Sequence, residues 1–259
     1  MELIVLLKSV PDLAEELEIA ADGKDLAREW LSYVTSEWDE YALEEALQLK
    51  EASGATVTCL ALDSGPVDEL LATCLARGAD RAIKVGSFES PPDSHSAARA
   101  YASALAGIPH DLILTGVQAI DDLDGQVGPL LAAVLDLPHV SVVTHIGLAA
   151  DGSTAAVSQE YAGGIVAEFE VDLPAVLGVQ TSREAPRYAP VSRVRQLMKT
   201  AEFGRAEAPA AAGAGLLVEA MSIPEAGGHA EMIGGGADAI AERLAALIRE
   251  RGLVAGAAR

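Results

Sequence analysis

Short apolar runs alternate with stretches of helical periodicity through most of the chain, the pattern of a parallel sheet covered by helices on both faces. Glu2–Leu7 predicts a first strand. Residues 39–52 predict a helix whose Ala42, Leu43, Ala46, Leu47 and Leu49 favour one side before Gly54 stops it. Thr56–Leu62 predicts the next strand, and Gly65-Pro66 opens a helix through Leu71, Cys74 and Leu75 that ends at Gly78. Arg81–Val85 and residues 96–105 repeat the unit, and residues 112–115 with Val127–Leu135 repeat it again. The rhythm then changes. Asp151-Gly152 is a hairpin turn signal between strands at 140–148 and 155–159, and strands continue at 165–170 and 173–179. The fold class is α/β, an open mostly parallel sheet with helices on both faces and a C-terminal arm.

That arm begins past Thr200. Residues 206–215, rich in Ala, Pro and Gly, read as a spacer rather than a core element. Residues 216–221 suit one strand, and residues 237–251 a helix with Ile240, Leu244, Leu247 and Ile248 on one stripe. A lone strand and helix bury too little surface to be stable alone, so they need another surface, such as a second chain. Gly234-Gly-Gly236 before the helix can host an anion or serve as a flexible lead-in, the commoner meaning of such a run.

Half of the 259 residues are hydrophobic, enough for a substantial core, and the formal net charge is −21. That balance argues against nucleic acid or an anionic membrane as partner, since both reward a basic face. The opening Met1-Glu-Leu-Ile-Val-Leu-Leu7 already reads as a strand and not as a signal peptide, and no apolar run nears the roughly 20 residues of a membrane span. A cytoplasmic protein is expected. Cys59 and Cys74 lack metal or redox spacing and read as buried structural thiols. His95, His110, His139, His145 and His229 are scattered and read as surface or capping residues. No Ser/His/Asp arrangement and no metal cluster supports catalysis.

The most informative stretch is Asp111-Leu-Ile-Leu-Thr-Gly-Val-Gln-Ala-Ile-Asp-Asp-Leu-Asp-Gly-Gln-Val-Gly-Pro129, a buried strand, a glycine-bracketed polar loop and a helix start in succession. Ligands of open α/β sheets sit beyond the carboxyl ends of strands, where N–H groups at the next helix start receive a phosphate. Gly116, Gly125 and Gly128 let backbone come close. The spacing is neither G-x-G-x-x-G nor G-x-x-x-x-G-K-[ST], which weakens the common dinucleotide and P-loop classes. An ordinary βα loop with a solvated acidic tip is the plain alternative.

The chain resembles the electron transfer flavoprotein β subunit family. The resemblance runs nearly end to end, through Val5-Leu-Leu-Lys-Ser-Val-Pro-Asp12, Asp39-Glu-Tyr-Ala-Leu-Glu-Glu-Ala46, Ala76-Arg-Gly-Ala-Asp-Arg81, the loop from Gly116 to Gly128, Leu173-Pro-Ala-Val176 and Pro186-Arg-Tyr188. It implies an adenine nucleotide α-hydrolase-like fold with residues 1–200 as a nucleotide-binding domain including a recognition loop, and residues 201–259 as linker and arm packing on a partner. It implies a heterodimer whose larger α subunit holds most of an FAD. This chain would wall the flavin and bind a structural AMP. Electrons would arrive from acyl-CoA or similar dehydrogenases, as in fatty acid oxidation, and leave to a membrane quinone oxidoreductase.

Carried over residue by residue, the resemblance places cofactor contacts at Leu7, Ser36, Glu37, Trp38, Asp39, Ser64, Gly116, Val117, Gln118, Ala119, Ile120, Asp121, Asp122, Leu123, Asp124, Gly125, Gln126 and Val127. Asp121, Asp124 and Gln126 can serve ribose and base, while N–H groups from Gly125 to Val127 point at a phosphate. Carboxylates repel phosphate, so Asp121 and Asp122 are expected to brace the loop or hold ribose hydroxyls. Trp38 stands near the flavin in this reading, or is a core or interface tryptophan. Leu13 replaces a tyrosine found in some relatives, and Gln159 a basic residue, while Glu160 keeps the carboxylate. Val127 replaces a threonine of some AMP-binding relatives. A valine there also occurs in members that take a second FAD and bifurcate electrons from NADH, although those carry Asp-Gly-Asp where this chain has Asp121-Asp-Leu123. Arg187, Tyr188, Pro190 and Val191 fall on the recognition loop, with Val191 aligned to its leucine anchor. A reading of another class is a stand-alone adenine-nucleotide sensor or hydrolase, for which the arm has no evident use.

Overall fold

The computed structural model describes residues 1–209, 217–224, 227 and 230–253. In chain order its elements are β1 (Glu2–Leu7), β2 (Ser9–Pro11), a short 3-10 helix (Arg28–Trp30), β3 (Tyr33–Thr35), α1 (Glu37–Ser53), β4 (Thr56–Leu62), α2 (Val67–Arg77), β5 (Arg81–Val85), α3 (Ser94–Leu105), β6 (Leu112–Gly116), α4 (Val127–Leu135), β7 (His139–Leu148), β8 (Thr154–Tyr161), β9 (Ile165–Asp172), β10 (Ala175–Val179), α5 (Val191–Thr200), β11 (Gly204–Ala206) and α6 (Ala237–Glu250). A nine-stranded sheet has the order β11-β5-β4-β1-β6-β10-β7-β8-β9. Its pairings are parallel from β11 to β7 and antiparallel at β7–β8 and β8–β9.

Alternation along the central strands feeds two layers. Leu3, Val5 and Leu7 join Leu43, Ala46, Leu47 and Leu71 on the α1 and α2 side. Ile4 and Leu6 join Tyr101, Leu105 and Leu131 on the α3 and α4 side. Because both faces are covered, the strands are unbroken apolar runs, which made them legible. The buried face of α1 includes Ala42, Leu43, Ala46, Leu47 and Leu49, and the helix closes at Gly54, whose φ of 73° suits glycine. Cys59 and Cys74 are free and buried.

From β1 the chain steps outward to β4 and β5, then crosses back to β6 on the other side of β1. The β1–β6 boundary is therefore a topological switch point. Farther along the sheet, β7 shifts register against both neighbours, at Leu177/Val179 and Val143/His145, beside Val142 with φ 57°. Beyond this bulge the β8–β9 hairpin sends Ala155, Val157 and Val171 into the α1-side core.

Several elements differ from expectation. The antiparallel pair β2–β3 has no counterpart among the elements that the sequence pattern predicts. Val191, expected on a loop, is the first residue of α5, with Pro190 as its N-cap. Ala206, expected to open the spacer, closes β11, where Arg205 and Ala206 pair with Lys84 and Val85. Residues 210–215 of that spacer, Leu216 and His229 lie outside the described residues. Residues 217–221 form no strand; Met221 donates its N–H to the Gly23 carbonyl at 2.7 Å, without a ladder to continue it. The chain divides into two compact units, Met1–Met221 and Ser222–Arg259. The second contains α6, whose N-cap is Gly236 and whose Leu244 and Ile248 are exposed.

Candidate functional site

At the switch point, the ends of β1 and β6, the start of α4 and one face of α3 enclose a cleft of about 750 Å³ including its open mouth. Asp39, in the first turn of α1, ties the two strand ends together. Its Oδ2 accepts the Lys8 N–H at 2.7 Å and its Oδ1 accepts the Gly116 N–H at 2.9 Å. Gly116 has to be glycine for this approach: a Cβ there would stand 2.5 Å from Asp39 Oδ1 and 2.8 Å from both Asp39 N and Trp38 Cβ. Burial pushes the Asp39 carboxyl up to about 7, against the pull of these two N–H groups.

The loop after Gly116 is held from both sides. Val117 donates to the Val179 carbonyl at 3.0 Å. Lys8 Nζ donates to Asp121 Oδ1 and to Asp122 Oδ2, each at 2.7 Å, and Ser94 Oγ donates to Asp124 Oδ2 at 2.7 Å. Burial by itself would lower the Lys8 ammonium, but Asp121 and Asp122 together hold it above its ordinary value. Gly125 turns the chain with φ 62° into α4. Gln126 spends its N–H on Asp124 Oδ1 at 3.2 Å, whereas among the described residues the N–H groups of Gly125, Val127 and Gly128 meet no acceptor. Unspent donors at a helix start, opening on a cleft, suit a phosphoryl group.

Leu7, Asp39, Ser64, Gly116, Val117, Gln118, Ala119, Asp122, Asp124, Gly125, Gln126 and Val127 line this cleft together. Other expected contacts lie around it. Ser36 is fully buried behind the Lys8 backbone, with its hydroxyl unpartnered; Glu37 is exposed and Trp38 half-buried in the first turn of α1. Ile120 and Leu123 point outward from the loop, and Asp121 reaches the cleft only through Lys8. Lys8, Ser94, Tyr101 and Thr115 also line the cleft and escaped sequence reading. Lys8 follows directly on β1, so the strand-end rule applied to β6 would have found it there too. Ser94 and Tyr101 arrive on α3 through tertiary packing, with Tyr101 Oη donating to the Leu7 carbonyl at 3.4 Å.

The segment expected to dock a partner is fixed at one end. Arg187 donates its main-chain N–H and guanidinium to buried Glu44 at 2.8–3.2 Å, and to Glu51 at 2.6 Å. Tyr188 and Val191 stand 76% and 53% exposed, beside exposed Pro190. Leu13 is exposed, and Gln159 turns inward to donate to the Ser141 carbonyl at 2.8 Å.

The fold defines an α/β protein with a cleft at its switch point, the place where open sheets of this kind bind ligands. Residues 26–213 match the model of the electron transfer flavoprotein domain. The chain is 33% identical to the electron transfer flavoprotein subunit beta of Methylophilus methylotrophus over 261 positions, 96% of this chain and 98% of that protein. It is 32% identical to the same-named protein of Bacillus subtilis over 77% of this chain and 76% of that one, and 36% identical to that of Syntrophomonas wolfei over 73% of each. The chain belongs to the electron transfer flavoprotein family, with the β subunits as its relatives.

Proposed function

We propose that this chain is the β subunit of a heterodimeric electron transfer flavoprotein, binding AMP structurally in the switch-point cleft and helping to enclose an FAD held mainly by an α subunit. FAD supplies the redox chemistry when bound, and the residues of this chain shape its surroundings. The observation that carries the nucleotide assignment is the start of α4, where free N–H groups behind Gly125 open on a cleft whose floor is closed by Asp39. Residues 201–259 are the arm that grips the α subunit in this reading, and the described stripe of α6 is of the kind a partner covers.

Dehydrogenases, acyl-CoA dehydrogenases among them, are the proposed donors and a quinone oxidoreductase the acceptor. Docking at Tyr188 and Val191 is supported by their exposure and by Arg193, Arg195 and Lys199, exposed cations of α5 on a chain of net charge −21. Val127 favours a second reading, in which the cleft takes a second FAD and the complex bifurcates electrons from NADH.

Co-expression with an electron transfer flavoprotein α subunit, followed by denaturation and nucleotide analysis, separates these readings. One FAD and one AMP per dimer are expected. Two FAD per dimer with reduction by NADH would move the chain to the bifurcating class, and an absence of adenine nucleotide would overturn both.

A further inference from the structure

Beneath the start of α4 two polar atoms are buried without partners. Thr115, near the end of β6, is 5% exposed and lines the cleft, and its Oγ1 meets no donor or acceptor among the described residues. His139, at the head of β7, rests its Nδ1 on the Val176 carbonyl at 2.9 Å, so Nδ1 carries the N–H and Nε2 is left as an acceptor. That Nε2 is buried and unpartnered too. Both side chains face Gly128, in the first turn of α4: a Cβ there would stand 3.1 Å from Thr115 Oγ1, 3.3 Å from His139 Cε1 and 3.9 Å from His139 Nε2. A hydroxyl and an imidazole thus converge on the helix start whose N–H groups open on the cleft. Charge gives the pair a task. Lys8, the one cation among the described residues that line the cleft, is held by Asp121 and Asp122, and the positive end of α4 amounts to only about half an elementary charge. A phosphoryl dianion seated there is short of positive charge.

We propose that His139 is a positioning residue for the phosphoryl group of the cleft nucleotide: with the anion at the start of α4, Nε2 takes up a proton from solvent and, drawn toward Thr115 Oγ1, donates to it, while the Thr115 O–H turns to a phosphoryl oxygen. Nucleotide binding is thereby coupled to proton uptake. The inference rests on the cleft being a nucleotide site and adds how that site responds to protons. α4, β6 and β10 carry no charged residue within their spans, and the other titratable group of β7 is His145. The remaining groups in this part of the fold are Asp136, exposed at the far end of α4, His95 and Arg99 on α3, which packs against α4, and Asp39, Asp122 and Asp124 of the cleft. Burial holds the His139 ring below its ordinary value, and a bound anion opposes that.

The test follows the histidine rings of the full nucleotide-free chain by nitrogen-15 NMR from pH 5 to pH 8, with and without saturating AMP, and His139→Gln identifies the signal. AMP is expected to raise the His139 midpoint by about one pH unit, the tenfold change in proton affinity that a unit charge roughly 10 Å away produces near a protein surface. In calorimetry, the AMP affinity of the native chain divided by that of His139→Gln should rise about threefold between pH 8 and pH 6, a ratio in which the titrations of the phosphate and of Asp39 cancel. Thr115→Val cuts the link to the phosphoryl group; it should weaken AMP at every pH and remove most of the rise in the His139 midpoint, and it carries the comparison if His139→Gln fails to fold. A His139 midpoint that AMP leaves in place, or an affinity ratio constant between pH 8 and pH 6, would overturn the proposal. Failure of AMP to bind the native chain at any pH would instead remove the nucleotide reading on which it stands.

Discussion

Asp39 and Gly116 show how single atoms shape the cleft. The carboxylate spans two strand ends, and the helix that carries it can approach because Gly116 has no side chain. The atoms a methyl would meet include the Asp39 backbone, which cannot swing aside as a flexible side chain could. Gly116→Ala is therefore expected to cost about 1–3 kcal/mol in urea unfolding and to lower nucleotide content in the purified complex. Native stability with full nucleotide content would show that α1 can retreat freely. At the opposite wall Val127 offers no hydroxyl, so a phosphate of the proposed nucleotide would meet main-chain donors there.

At the level of elements, the segment between β10 and α5 hangs on Arg187. Removing the guanidinium strands the Glu44 carboxylate, which is 2% exposed. Arg187→Met should lower unfolding free energy by about 2–4 kcal/mol, less than a wholly enclosed pair would lose because the Arg187 head is partly hydrated. A denaturation midpoint unchanged from the native chain would contradict this. Val191, at the first position of α5, is a gentler site: an aspartate there suits the helix start and disturbs no buried contact. If the residue docks a dehydrogenase, Val191→Asp slows reduction by that enzyme while dithionite reduction and FAD content stay normal; equal enzymatic rates would rule docking out.

The central strands were legible because they are buried on both sides, whereas the half-exposed β8 and β9 were read from the Asp151-Gly152 turn signal and the apolar runs around it. The runs in β1, β4 and β6 are apolar without interruption, and the glycine loop stands out between a strand and a helix. α5 was not legible because Val194 is its one buried residue and its remaining turns carry Arg, Gln and Lys, a composition that resembles a solvated loop. The three-residue strands β2, β3 and β11 are too short to show a period, and they exist because a neighbouring strand supplies hydrogen-bond partners. The same holds for the cleft. Its glycine side was readable along the chain, while Ser94 and Tyr101 enter from a helix that only folding brings near.

For the whole molecule, buried acids on α1 set the response to pH. Burial pushes Asp39 and Glu45 each up to about 7, well above the values near 4 that they have in an unfolded chain. The folded state thus holds protons that the unfolded state releases, so their contribution to stability is full below about pH 4 and is lost as pH rises through about 7. Glu44, lowered by Arg187 despite its burial, works the other way, losing its contribution as pH falls through its depressed value. His139 and His145, both lowered by burial, gain stability as pH rises and offset part of this loss; Glu45→Gln should therefore make stability at pH 8 relative to pH 5 more favourable by about 2–4 kcal/mol than in the native chain. A Glu45→Gln profile parallel to the native one over this window would show that Glu45 is ionised throughout. On the same scale, truncation after Met221 leaves the first compact unit whole. If the second unit grips the α subunit, the truncated chain should fold with native circular dichroism yet fail to hold α and FAD on gel filtration; full retention of both would remove that role.

One helix carries all of these acids. Asp39 sits at the cleft, and Glu44 and Glu51 farther along α1 hold Arg187, which leads to Tyr188 and Val191. At 1.5 Å per residue, Asp39 and Glu51 are about 18 Å apart along the axis. α1 is thus a ruler as well as a wall. It fixes the spacing between whatever occupies the cleft and whatever meets the exposed segment, and the nucleotide proposed for the cleft, without redox chemistry of its own, would set the calibration of that distance by steadying the end of the helix from which it is measured.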